Sequence, residues 1–277
     1  ERDGNISPPT DLIKRDGNTY TLTANAIEKP IIIIQRDNSI FDGAGYNITV
    51  LTGPNPALIV IANDTSSGPI NNVVVKNVGI TSNNIYTFDF LCSGGFIENV
   101  QTNKAIRIYG DANKINKCDI GNFCIFQGKD NVITKCNIFD ILVSGRSNMF
   151  FANNFFLSEY PSLFMESTWD NGSLGNYWGN YSARYPNASE IDNTGIADTP
   201  YFIERDEYTS RDYPDEDNNV DRFPLLYPYD INKDQIAFPT LNPDVPDFSF
   251  LVIIPLLLSM FAVAVLVRHR KTAVLSK

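Results

Sequence analysis

Between residues 73 and 155 the apolar positions recur in two alternating phrases. The first reads Asn72-Val-Val-Val-Lys-Asn-Val-Gly-Ile80. It returns as Gly95-Phe-Ile-Glu-Asn-Val-Gln-Thr102, Asn113-Lys-Ile-Asn-Lys-Cys-Asp-Ile120, Asn131-Val-Ile-Thr-Lys-Cys-Asn-Ile138 and Asn148-Met-Phe-Phe-Ala-Asn-Asn-Phe155. The second ends in glycine: Phe90-Leu-Cys-Ser-Gly94, Ile106-Arg-Ile-Tyr-Gly110, Cys124-Ile-Phe-Gln-Gly128 and Ile141-Leu-Val-Ser-Gly145, with glycines 16, 18 and 17 residues apart. Aligned, the first phrase gives the columns Val75, Ile97, Ile115, Ile133, Phe150; Val78, Val100, Cys118, Cys136, Asn153; and Ile80, Thr102, Ile120, Ile138, Phe155. The second phrase, aligned on its glycines, stacks Phe90, Ile106, Cys124 and Ile141, then Cys92, Ile108, Phe126 and Val143. The intervening places are mostly polar, as in Lys76, Glu98, Lys117, Lys135 and in Gln101, Asp119, Asn137, Asn154. Alternation with period two marks strands, and phrases this short, bounded by Gly and Asn, leave no room for a helix. A short repeat of this kind predicts a stacked solenoid: an all-β, right-handed parallel β-helix with coils ~4.8 Å apart.

The rest of the chain is read against those coils. Residues 1–30 predict an N-terminal cap, with Tyr20-Thr-Leu-Thr23 as a first strand, because a solenoid needs its open end covered. Coils are expected over 31–157, starting at Ile31-Ile-Ile-Ile34, with Asp42-Gly-Ala-Gly45 as a turn. Residues 158–229 lose the pattern and read as an aromatic, acidic C-terminal cap. Residues 230–247, with Pro239, Pro243 and Pro246, read as a stiff stalk. Residues 248–267 form an uncharged apolar run able to span the ~30 Å of a bilayer core as a helix. Arg268-His-Arg-Lys271 follows at once, which places the tail, 268–277, in the cytoplasm. The expectation is a cell-membrane protein with a single pass, its N-terminal domain outside the cell, and a signal peptide removed or lying outside this sequence.

Composition narrows the partners. The chain has 277 residues, 43% of them hydrophobic, and a formal net charge of −10. No acid follows Asp247, so the part before the tail is more acidic than the whole. That argues against nucleic acid and anionic polymers. The only histidine, His269, lies beyond the apolar run, which removes a Ser-His-Asp or His-metal site from the expected ectodomain. Cys92, Cys118, Cys124 and Cys136 contain no CxxC. They read as small buried hydrophobes, with a Cys118–Cys136 bridge between adjacent coils as the alternative.

Three groups of residues carry candidate chemistry. Glu190, Asp192 and Asp198, and then Asp215, Asp217 and Asp221, place oxygen side chains at alternating positions of turning loops. That arrangement suits Ca²⁺, although no loop has the full spacing with its closing Glu; the alternative is solvated turn residues. Trp169, Tyr177, Trp178 and Tyr181 can stack on sugar rings or pack the cap onto the last coil. The acceptor sequence for N-glycosylation occurs at Asn5, Asn47, Asn63, Asn171, Asn180 and Asn187. No pair of carboxylates recurs at the spacing a polysaccharide lyase or glycoside hydrolase needs: the ladder Gln101, Asp119, Asn137, Asn154 holds one acid, and Arg107 and Arg146 read as isolated.

The closing segments carry a resemblance. Gly175-Asn-Tyr-Trp-Gly-Asn-Tyr181, Gly195-Ile-Ala-Asp-Thr-Pro-Tyr201 and Asp221-Arg-Phe-Pro-Leu225 resemble the closing signature of the NosD-like β-helix proteins. These are CASH-type (carbohydrate-binding, sugar-hydrolase) repeat proteins, common on archaeal cell surfaces. Tyr20-Thr-Leu-Thr23, the Ile-rich strand and Asp42-Gly-Ala-Gly45 are similar to that family's first coil. Thr194 and Ala197 stand where the family usually has Asp and Gly, and Asn180 where it has Asp. The resemblance implies a pectin-lyase-like right-handed β-helix. It leaves three functions open: a non-catalytic surface module binding glycans or neighbouring surface proteins, a glycan-cleaving enzyme, and a copper-delivery accessory protein like the family's namesake. Copper delivery would need Met or Cys ligands, here Met149, Met165 and the four cysteines.

Overall fold

The predicted phrases form strands that pair in parallel from coil to coil. A computed structural model of the chain describes residues 3–27, 32–51, 58–60, 70–156, 162–163, 166–203 and 219–232. All of these belong to one compact unit, Glu1–Asn232. It is an all-β, right-handed parallel β-solenoid of about 6 turns, with a single helical turn at Tyr181–Arg184. The expected membrane segment and the tail lie outside the described residues, as does the stalk beyond Asn232. Among the described residues no helix is long and apolar enough to cross a membrane.

Three faces run the length of the stack. The first contains Thr19–Leu22, Ile40–Asp42, Lys114–Asn116, Val132–Thr134 and Met149–Phe151, with the leading halves of Val74–Ser82 and Phe96–Thr102 between them. The second contains Ala26–Ile27, Asn47–Val50, the trailing halves of those two long strands, and Asn154–Phe155. The third contains Ile32–Ile34, Leu58–Val60, Tyr86–Phe90 and Ala105–Ile108. Asp119–Phe126 and Asn137–Val143 bend from the second face into the third. Inside, like residues meet: Val75, Ile97, Ile115, Ile133 and Phe150 in one column, Ile48, Ile80, Ile120, Ile138 and Phe155 in another, all essentially inaccessible to solvent.

Two turn columns explain the Asn-rich composition. Asn38, Asn72, Gly94, Ala112, Asp130 and Ser147 all have φ between 52° and 64°, and Ala44, Asn77, Asn99, Lys117, Lys135 and Ala152 between 52° and 56°. Left-handed backbone is where Asn and Gly cost least. In the first column each N–H donates to a carbonyl one coil on, from Asn72 to Ser93, Gly94 to Asp111, Ala112 to Lys129 and Asp130 to Arg146, so the ladder continues through the corner. A buried amide ladder lines the inside of this corner. Asn131 Oδ1 accepts from the Asn113 N–H at 2.8 Å, and Asn148 Oδ1 from the Asn131 N–H at 3.0 Å. These amides satisfy main-chain groups that the bend takes out of the sheet.

Two expectations change. The second-phrase columns slip by two residues in the first coil: Phe88 pairs with Ile106 and Phe90 with Ile108, while Cys92 pairs with Ile70. Aligning on glycine misled because the stacked glycines are Gly110, Gly128 and Gly145. A Cβ on Gly110 would strike the Cys92 carbonyl, on Gly128 the Gly110 carbonyl, and on Gly145 the Gly128 carbonyl. Gly94 belongs instead to the left-handed column. A slip of two keeps every side chain on its face, so the inside-outside pattern survives the error. The stack also runs past residue 157: Ser162–Leu163 pairs with Leu142 and Val143, and Tyr177–Trp178 with Asn154 and Phe155.

Candidate functional site

The outer side of the second face has the arrangement best suited to a ligand. Gln101, Asp119, Asn137, Asn154 and Tyr177 stand in register on successive coils, all pointing out. Asn154 Nδ2 donates to Asn137 Oδ1 at 2.8 Å. Tyr229 closes the upper end of this ladder: its N–H donates to Asn154 Oδ1 at 2.6 Å, and its carbonyl accepts from Asn154 Nδ2 at 2.8 Å. Asp119 has no hydrogen-bond partner among the described residues, and burial pushes its carboxyl above the usual range. Beside the ladder lies an aromatic strip. Phe139 and Phe156 are 43% and 37% exposed with ring centroids 5.4 Å apart, and Phe156 lies 6.0 Å from Tyr177. Each phenylalanine follows an inward residue, Ile138 or Phe155, and the period of two turns it outward.

The C-terminal end is a plug. Phe150 stacks on Trp169 at 4.5 Å, Phe155 on Trp178 at 4.6 Å, and Trp178 on Tyr201 at 4.3 Å. The Trp169 indole donates to Asn219 Oδ1 at 2.9 Å and the Trp178 indole to Asp221 Oδ2 at 2.9 Å. Asp221 also accepts from the Asn176 and Phe223 N–H groups, at 2.7 and 3.1 Å. Burial pushes its carboxyl up to about 7 against these donors, which favour the charged form. Asp170 is buried under Arg222, whose Nη2 and Nε reach its two oxygens at 2.6 and 3.0 Å. Burial opposes charge on Asp170, but Arg222 and the surrounding N–H donors outweigh it and hold its pKa below the usual range.

Against this geometry the expected sites separate. Trp169, Trp178 and Tyr181 are at most 2% exposed, so their faces pack the cap and are closed to a sugar ring. Tyr177 alone of the four stays outward, and Phe139 and Phe156 join it. Of the calcium candidates, Asp215 and Asp217 lie outside the described residues. Glu190 Oε1 accepts from the Gly195 N–H at 2.6 Å, and Asp198 Oδ1 from the Ser189 N–H at 3.0 Å and the Thr199 hydroxyl at 2.9 Å. Asp192 is exposed at φ 47°. Asp221 faces N–H donors, surroundings that repel a cation. Among the described residues no three His, Cys, Asp or Glu side chains come together as a metal site. Glu190 and Asp198 therefore act as acceptors that shape their own turn, and Asp221 as an acceptor inside the cap.

The other candidates are placed as follows. Asn5, Asn47 and Asn187 are exposed, Asn171 and Asn180 half-buried, and Asn63 outside the described residues. Asn180 Oδ1 accepts from the Tyr201 hydroxyl at 3.0 Å, and Asn171 Oδ1 accepts from Ser173 and Leu174. All four cysteines are free thiols buried in the stack, and Cys118 and Cys136 are not bridged. None offers a ligand at the surface where a metal would be handed over. Met165 lies outside the described residues. Arg107 is not isolated: its guanidinium grips the Asp89 carboxylate through two nitrogens on the third face and lies 4.0 Å from the Tyr86 ring centroid. The columns alone hid this pair, because Asp89 meets Arg107 only after the two-residue slip is corrected.

The chain matches no protein-family model, no curated protein and no solved structure.

Proposed function

We propose that this chain is a glycan-binding surface module of the NosD-like, CASH repeat type. It is tethered to the cell membrane through residues 248–267, with the solenoid outside, and it works without catalysis. The observation that carries this reading is the strip of Phe139, Phe156 and Tyr177 beside the ladder of Gln101, Asp119 and Asn137. Aromatic rings present flat apolar faces to the C–H side of a sugar, and amides and a carboxylate accept and donate to its hydroxyls. Because the ladder repeats once per coil, it suits an extended chain of sugars. Asp119 and the net charge of −10 select against anionic polysaccharides.

Asp119 is also the residue on which an enzymatic reading would turn, since a carboxyl with a raised pKa can serve as a general acid. Glycoside cleavage needs a second carboxyl ~5–10 Å away, and the in-register neighbours of Asp119 are Gln101 and Asn137. Binding is therefore the stronger reading. The test is a glycan array probed with the full chain in lipid nanodiscs, with and without Ca²⁺. Retention of neutral linear oligosaccharides, weakened by about tenfold in a Phe139→Ala/Phe156→Ala variant, is the expected result, since two ring contacts are worth ~1–3 kcal/mol. A blank array, or binding unchanged in the double variant, would sink the proposal. Release of shortened products would replace binding with cleavage.

A further inference from the structure

At the N-terminal end of the stack a cavity of about 470 Å³ lies between the arm Asn5–Ile13 and the first coil. Its walls are mainly apolar, with Ile6, Pro9 and Leu12 from the arm facing Leu22, Ile34 and Phe41 of the coil. Topology explains why it is there. Thr19–Leu22 lies below Ile40–Asp42 on the first face and Ala26–Ile27 below Asn47–Val50 on the second. On the third face Ile32–Ile34 pairs with Leu58–Val60 above it, and among the described residues no strand pairs with it beneath. Voids larger than a water molecule are rare in close-packed interiors, and this one falls in the size range of small-molecule sites.

Charge at the mouth indicates what would fill it. Arg36 lines the cavity, and its Nη1 donates to the Tyr20 hydroxyl at 3.3 Å. The Tyr20 hydroxyl in turn donates to the Gly4 carbonyl at 2.7 Å. A Cβ on Gly4 would collide with Arg36 Nη1 and with Arg15 Nη2, so the two guanidiniums meet over one α-carbon. Neither has a carboxylate partner among the described residues. The nearby acids are engaged elsewhere: Asp3 accepts from Asn5, and Asp37 from the Asn71 N–H. Two cations this close repel each other, and in a chain of net charge −10 the juxtaposition stands out.

We propose that this cavity binds a single-chain anionic amphiphile, a medium-chain carboxylate: its apolar tail lies among Leu12, Leu22, Ile34 and Phe41, and its head group is held by Arg36 and Arg15. A guanidinium holds a carboxylate through two parallel N–H bonds, and the tail replaces solvent in the void. The site is at the opposite end of the stack from the aromatic strip and does not depend on the glycan reading.

The test is calorimetric titration of the full chain in nanodiscs of neutral lipid with decanoate and, in parallel, decanol. Decanoate is expected to bind at one site, at least tenfold tighter than decanol. Arg36→Gln should remove that preference while leaving weak decanol binding. Ala26→Leu, directed into the cavity, should block both ligands; because Ala26 is buried within the first coil, Leu12→Trp on the arm serves as a second filling variant, and circular dichroism must show both variants folded. No decanoate binding, equal affinity for the two ligands, or binding unchanged by Arg36→Gln would each overturn the proposal. An anionic lipid is the other source of the same chemistry. Adsorption to phosphatidylglycerol vesicles without uptake of free decanoate would give the arginines to a membrane surface and overturn it too.

Discussion

At its C-terminal end the stack is plugged by its own side chains, and at its N-terminal end it is left with a cavity. The C-terminal plug is aromatic and continuous, from Phe150 and Phe155 through Trp169 and Trp178 to Tyr201. Its two indole N–H groups are answered by Asn219 and Asp221, and the buried Asp170 carboxylate by Arg222. The N-terminal end is closed by an antiparallel hairpin, Ile13–Asp16 with Thr19–Leu22, and among the described residues no strand pairs beneath Ile32 on the third face. Interior coils need no such devices, because each is covered by its neighbours. The ends are where a repeat must be completed by residues that do not repeat.

The comparison is broken most strongly by Trp178→Ala. The indole is 0% exposed between two rings, and its N–H satisfies Asp221. Its loss should cost ~3–5 kcal/mol, or a fall in Tm on the order of 10 °C by calorimetry. Leu22→Ala, at the other end, opens into a void that already exists. It should cost only ~2 kcal/mol, near the lower limit for such changes. Equal losses would mean that the cavity is closed or filled in solution.

Acidity tests the same end. Folded Asp221 keeps its proton up to about 7, whereas the unfolded group releases it near 3.8. Between those values the folded state binds the extra proton, so stability should fall as pH rises through that window, by on the order of 4 kcal/mol in all. Asp170 works in the opposite sense: its lowered pKa adds stability above 3.8 that is lost as pH falls through its folded value. Denaturant melts at successive pH values should therefore show a maximum on the acid side of neutrality. Asp221→Asn, less stable throughout, should flatten the decline toward pH 7. A wild-type curve that rises from pH 4 to 7 would show the three N–H donors outweighing burial.

The amide ladder gives a smaller effect. Asn131→Ala leaves the Asn113 N–H without its acceptor inside the corner, which should cost ~1–3 kcal/mol in chemical denaturation. An unchanged midpoint would mean that water replaces the amide there.

The coils were legible in the sequence because period two is a local property: Val75, Ile97, Ile115, Ile133 and Phe150 could be aligned with no knowledge of the turns. The second phrase failed by one strand pair because its glycines do two jobs, left-handed backbone at Gly94 and close approach of main chains at Gly110. The C-terminal cap was legible as a region, where the coil pattern stops, but composition alone does not say which of its aromatic residues close the stack and which face solvent. Trp178 and Tyr177 are adjacent and opposite in fate. Phase decides, and it was readable: Trp178 continues the inward column of Ile138 and Phe155, while Tyr177 continues the outward column of Asn137 and Asn154. Phe139 and Phe156 carry the same signal, each one place after an inward residue. The cavity had no signal in the sequence, because it arises where, among the described residues, no strand pairs below Ile32.

The smallest expected effect on stability is also the one that separates surface from plug. Phe139 is 43% exposed and touches Phe156 at 5.4 Å, so Phe139→Ala removes one tilted ring contact and little buried area. Its stability cost should stay near ~0.5 kcal/mol, the range of surface substitutions. Trp178→Ala, at a ring two coils further along the stack, is expected to cost several times more. A residue that costs the fold little and still presents a large apolar ring to water is better explained by something it meets than by what it packs against. If Phe139→Ala instead lowers Tm as far as Trp178→Ala does, the strip belongs to the core, and the second face loses its claim to be a binding surface.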